Sequence, residues 1–227
     1  MFKKIIQLVL IILPFLGFSQ NKSFEEVNID AFINETQYSG DSANDLEVIW
    51  WIPTEYWNVI FAQDPMASAA ELDAITDMLK EFVIVITIKG KMGVFGGITY
   101  DKKENIRSLT EVSINGENLS MIEEDNITPD MVNFVGMIKP MMENMIGPMG
   151  ENMQVMLFEN PKNKSLLPIN PYSTDELKFS LGDFEKKVKL PLSCLLEDKQ
   201  CPDDNEALNG KWNFCPIHGS KLINKKQ

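Results

Sequence analysis

Three cysteines and the chain's one histidine fall in its last stretch: Cys194, Cys201, Cys215 and His218. Thiolate sulfur and neutral imidazole nitrogen are the donors from which structural zinc sites are built, four to an ion in a tetrahedron. In Cys215-Pro216-Ile217-His218-Gly219 a ligand is followed by a tight turn and a second ligand three residues on. That spacing lets backbone N–H groups face the metal-bound sulfur. Cys201-Pro202-Asp203-Asp204-Asn205 repeats it, with Asp204 in place of the second ligand and Asn205 in place of the glycine. The chemistry this predicts is closed, structural metal ligation, in which the ion's binding energy goes into folding the segment.

Residues 201–222 resemble a zinc ribbon, a family of small β-hairpin metal sites with Cys-Pro-x-Cys-Gly knuckles. The second knuckle and the trailing Lys221-Leu222 are the closest part. The resemblance implies a strand pair and a structural zinc. The first knuckle departs from it at Asp204, which leaves two candidates for the fourth ligand. The parallel between the knuckles favours Asp204, and the preference of structural zinc for cysteine and histidine favours Cys194. The set read here is Cys194, Cys201, Cys215 and His218, with Asp204 as the alternative fourth ligand. The competing arrangement is a Cys194–Cys201 disulfide with Cys215 left as a free thiol.

Catalytic sets are incomplete. A histidine-dependent triad would have to take His218 away from the metal. A carboxylate-pair hydrolase has material in Asp64, Glu71 and Asp101, and an exported hydrolase is the first alternative function. The second is a periplasmic metal handler using the thioethers of Met137, Met141, Met142, Met145, Met149, Met153 and Met156, soft donors suited to cuprous copper. Helical spacing with Phe134 and Ile138 predicts instead that these methionines fill an irregular core. The glycines Gly90, Gly93, Gly96 and Gly97 lack the Gly-Lys-Ser/Thr ending of a phosphate loop. The leading expectation is a non-catalytic protein whose zinc-stapled knob serves stability or binds a protein partner.

An exported, oxidising setting would favour the competing disulfide. Lys3-Lys4 followed by an apolar run, 5–15, and the small residues Gly17 and Ser19 predict a signal peptide over 1–19. The run is shorter than the roughly 20 residues a spanning helix needs, and no later segment is apolar enough to cross a membrane. An exported, periplasmic or secreted protein of bacterial-style composition is expected. The net charge of −12 repels nucleic acid and anionic lipid surfaces.

The elements that must position the site read as α+β: a mainly antiparallel sheet packed with two to three helices, followed by the small zinc-ribbon-like hairpin. Boundaries are expected at a polar N-terminal arm, 20–45, an α+β domain, 46–192, and the C-terminal module, 193–227. The apolar run 48–52 predicts a buried strand, and 54–62 a short helix. Ser68-Ala69-Ala70-Glu71 has the form of a capping box opening a second helix. Residues 83–88 and 92–100 are expected to pair across Lys89-Gly90-Lys91. A strand over 109–114 ends at Asn115-Gly116, and Thr128-Pro129-Asp130 opens a helix that Pro140 is expected to kink and Gly147-Pro148 to end. A strand over 153–158 and a hairpin turning at Gly182-Asp183 complete the domain.

Overall fold

The computed structural model describes residues 21–162 and 166–224, so the expected signal peptide lies outside the described residues. They divide into two compact units, Asn21–Leu196 and a C-terminal unit from Glu197.

The first unit runs α1 (Ile29–Thr36), β1 (Gln37–Ser39), β2 (Asp45–Ile52), α2 (Thr54–Gln63), α3 (Ala69–Leu79), β3 (Val83–Met92) and β4 (Ile98–Tyr100). It continues with α4 (Lys103–Leu109), β5 (Thr110–Ile114), β6 (Glu117–Asn118), β7 (Ser120–Met121), α5 (Pro129–Ile146), β8 (Gln154–Glu159), β9 (Glu176–Leu181) and β10 (Phe184–Lys189). The class is α+β, as expected. All its strand pairs are antiparallel, in one sheet of order β1-β2-β3-β8-β7, with β4 on the end of β3, and a second of order β10-β9-β5-β6.

The adjacent tryptophans of β2 explain how the layers meet. Successive side chains of a strand point to opposite faces. Trp50 turns to the helices, edge-on to Tyr56 of α2 at 6.0 Å between centroids, and its indole N–H donates to Thr36 Oγ1 at 3.2 Å. Trp51 turns to the second sheet and lies 6.0 Å from Phe179 of β9. Both are buried, as are Tyr56 and Trp57, so these aromatics form core. Trp57 packs edge-on against Phe134 of α5 at 5.2 Å, which ties that helix to the same face as α2.

Several expectations are corrected. The polar N-terminal segment, one reading of which is a strand or helix against the core, carries α1 and β1 and buries Val27, Phe32 and Tyr38, because a few apolar residues at helical spacing suffice to dock a short helix. Helix α4 was not anticipated; its one buried side chain, Ile106, is too weak a periodic signal. With α1 it brings the helices to five among the described residues. Ser68 precedes α3, but its hydroxyl makes no capping bond.

The hairpin does not turn at Gly90. The strand runs through it to Met92, and the turn sits where Gly93 N–H donates to Gly97 C=O at 2.6 Å, with Gly96 at φ 83°. A Cβ on Gly90 would lie 2.8 Å from the Thr99 carbonyl oxygen, so this glycine serves close approach of β4. Elsewhere the local signals hold. Thr128 accepts from Met131 N–H, Gly147 ends α5 at φ 74°, and Asn115 and Gly116 form a left-handed turn after β5. Gly182-Asp183 joins β9 to β10, with Phe184 opposite Leu181.

The methionines split. Met142, Met153 and Met156 are core, as read from sequence, whereas Met137, Met141 and Met145 are exposed at 63%, 37% and 45%, four residues apart along α5. Among the described residues no helix is long and apolar enough to cross a membrane.

Candidate metal centre

The C-terminal unit is held by a three-stranded sheet of order β12-β11-β13: β11 (Lys199–Gln200), β12 (Ala207–Leu208) and β13 (Ile223–Asn224). Its apolar core is small: Cys201, Cys215 and Leu222, with Leu208 packed against them. Lys199 is buried, its Nζ donating to the Trp212 carbonyl at 2.8 Å, and its burial lowers the ammonium pKa. The polar run around Lys199 gave no sign of this buried strut.

Two turns with one hydrogen-bond plan present the ligands. Cys201 N–H donates to Glu206 C=O at 2.9 Å and Asn205 N–H to Cys201 C=O at 2.9 Å. Fourteen residues on, Cys215 N–H donates to Ser220 C=O at 2.8 Å and Gly219 N–H to Cys215 C=O at 2.9 Å. The residue that closes each turn is left-handed, Asn205 at φ 63° and Gly219 at φ 71°. Asparagine tolerates that region better than other residues with a Cβ, which is how the degenerate first knuckle keeps the shape of the second.

These turns bring Cys201, Cys215 and His218 together, with ligand atoms all within 4.8 Å of one another. His218 Nδ1 lies 3.5 Å from Cys201 Sγ and 3.6 Å from Cys215 Sγ. A tetrahedral zinc with Zn–S near 2.3 Å and Zn–N near 2.0–2.1 Å separates sulfur from nitrogen by about 3.5 Å. The observed separations therefore match two edges of such a tetrahedron. His218 N–H also points at Cys215 Sγ, at 3.4 Å, as the knuckle spacing requires.

Asp204 stands beside the group, Oδ2 3.7 Å from His218 Nδ1, while its Oδ1 accepts from Glu206 N–H at 3.0 Å. Its neighbour Asp203 accepts from the Ser220 hydroxyl and thereby ties one knuckle to the other, a contact sequence spacing did not suggest. The electrostatics favour the thiolate at Cys215 but the protonated forms of Cys201 and His218, whose protons an ion must displace. Although burial acts to raise the Cys215 thiol, the N–H groups of His218 and Ile217 reverse that and hold it below its ordinary value. Burial pushes the Cys201 thiol up. The Cys215 sulfur raises His218, and the Glu206 N–H lowers Asp204.

Cys194, read as a fourth ligand, is not brought into this group. It lies in the short turn Ser193–Leu195, in the core of the first unit, and is 6% exposed. Its N–H donates to Glu35 Oε1 at 3.0 Å and Ser193 N–H to Glu35 Oε2 at 2.6 Å, so that carboxylate caps the turn. Burial first, and the Glu35 charge second, push the Cys194 thiol up to about 12. All three cysteines are free thiols, so the Cys194–Cys201 disulfide is not formed.

Two of the acids named for a hydrolase make local hydrogen bonds. Asp64 caps a turn through Met66 N–H and Asp101 accepts from the Asn105 amide, while Glu71 is exposed. None of them lines the cavity of about 190 Å³ between Lys80, Glu81, Glu159, Asn160, Leu167 and Pro168. Sequence reading passed over Glu55, in the first turn of α2, where burial raises the carboxyl to about 7. Comparison of the chain with protein families, with curated proteins and with solved structures finds no match. What stands is an α+β protein with a Cys₂His group, fit for a metal ion, on a small strand unit.

Proposed function

We propose that the C-terminal unit is a zinc-ribbon-like knob holding one structural zinc through Cys201, Cys215, His218 and Asp204, in an exported, non-catalytic protein. The observation that carries this reading is the pair of sulfur-to-nitrogen distances, 3.5 and 3.6 Å, about one imidazole nitrogen. Asp204 completes the set, because it occupies in the first knuckle the place His218 has in the second, and a small carboxylate shift brings its oxygen to the ion. The knob also exposes Trp212, Phe214 and Ile217 at 44%, 61% and 69%, which supports a role in binding a protein partner. The test is metal analysis of the purified chain. One zinc per chain, lost in Cys215→Ser, is the expected result, and a fully folded knob without metal would end the reading.

The exposed row Met137, Met141 and Met145 supports a second reading, carriage of cuprous copper along α5. Competition for Cu(I) against a chromogenic chelator, lost in Met141→Leu, is its test.

A further inference from the structure

Resting on the zinc reading, we propose that Cys201 and Cys215 form a peroxide-responsive dithiol, whose oxidation joins the two sulfurs, ejects the ion and releases the fold of the knob. Their sulfurs lie within 4.8 Å of one another, against one nitrogen. A disulfide at about 2.05 Å requires them to close by less than about 3 Å, a movement that side-chain rotation and small turn adjustments can supply.

The route in is set by exposure. Cys201 and Cys215 are buried, at 0% and 2%. His218 and Asp204, by contrast, are 37% and 38% exposed at their side chains, so the open flank of the group is imidazole and carboxylate. A hard carboxylate holds zinc less firmly than thiolate does, and its exchange admits a small oxidant such as hydrogen peroxide.

One thiolate attacks a peroxide oxygen, the O–O bond breaks, and a sulfenic acid forms as hydroxide leaves and takes up a proton. The second thiolate attacks that sulfur, the S–S bond forms, and the S–O bond breaks to release a second hydroxide, also protonated to water. Two thiolates, one peroxide and two protons thus become one disulfide and two waters. The sulfurs are oxidised by two electrons, the peroxide oxygens are reduced, and zinc is freed unchanged. The pairing is confined to these two, since Cys194, the one other cysteine, is packed in the core of the first unit.

The experiment loads the reduced full-length chain with zinc and adds hydrogen peroxide. Zinc release is followed with a chromogenic chelator, and peptides are mapped by mass. Zinc release in proportion to peroxide, a linked pair of peptides carrying Cys201 and Cys215, an unmodified Cys194 and recovery after reductant plus zinc are expected. Cys194→Ser should behave identically. Retained zinc, release with sulfinic acid in place of the cross-link, or Cys194 in the linkage would overturn the proposal. A reduced chain that takes up no zinc sinks the zinc reading by itself, before peroxide is added. The same map on that metal-free chain then decides the dithiol separately, a missing Cys201–Cys215 link overturning it.

Discussion

On the proposed zinc reading, chelation is the perturbation that most directly probes how the knob is held. Its apolar core beyond the two cysteines is Leu222, 6% exposed, and the partly buried Leu208. Full burial of a leucine contributes about 1.5–3 kcal/mol, so the pair supplies at most about 5 kcal/mol. Fixing one residue's backbone costs about 1–2 kcal/mol, and ordering a handful of residues cancels that gain. A structural zinc contributes on the order of 10 kcal/mol in zinc-finger peptides, so on the proposed reading the ion decides the balance.

The prediction is that chelator removes the knob's order and leaves the first unit untouched. The assay is hydrogen exchange with mass spectrometry, before and after chelation, on a sample of verified zinc content. The amides of Cys201, Asn205, Cys215, Gly219 and Leu222, each bonded within the knob, should exchange more than about a hundredfold faster. Peptides from β3, buried from Val83 to Ile88 at the centre of its sheet, should be unchanged. Equal protection of the five knob amides with and without metal would refute the reasoning, since the fold would then rest on something other than the ion.

Four further outcomes follow from the same structure. Cys194→Ser should leave zinc stoichiometry at that of the unaltered chain, and loss of the ion in this variant would restore Cys194 as a ligand. Glu55 has a folded-state pKa of about 7 against an ordinary 4.5, raised by burial, and its Oε2 has no hydrogen-bond partner among the described residues. Ionisation therefore costs stability as pH rises through about 7, and the cost vanishes below the unfolded value. Glu55→Gln should gain on the order of 3 kcal/mol over the unaltered chain near pH 8 and little near pH 4, read from urea midpoints; an equal gain at both would contradict the burial argument. Phe179→Ala should cost about 3–5 kcal/mol in the same assay, because that ring is 1% exposed and lies 6.0 and 6.1 Å from Trp51 and Tyr38. Phe95→Ala, at a ring wholly open to solvent, should change stability by less than about 0.5 kcal/mol.

Much of the fold was legible because its signals are local. Asn115-Gly116 and Gly182-Asp183 turn where such pairs favour positive φ, and Thr128-Pro129 starts a helix through groups within one turn. Gly90 misled because a glycine that permits a turn and one that permits close strand approach are the same letter; only β4 arriving alongside separates them. The methionines of α5 divided for a related reason. Spacing places them on a helix, but which face meets Tyr56 and Trp57 depends on how α2 docks.

The chain's own order of residues determined the two knuckles, their shared turn geometry and three of the donors, since each knuckle is closed by bonds spanning five residues or fewer. Which cysteine stays outside was decided by tertiary structure alone. Cys194 lies closer in sequence to Cys201 than Cys215 does, yet Glu35, reaching from α1, caps its turn and draws it into the core of the first unit. Sequence distance limits how far apart two thiols can be, and packing energy determines whether they meet.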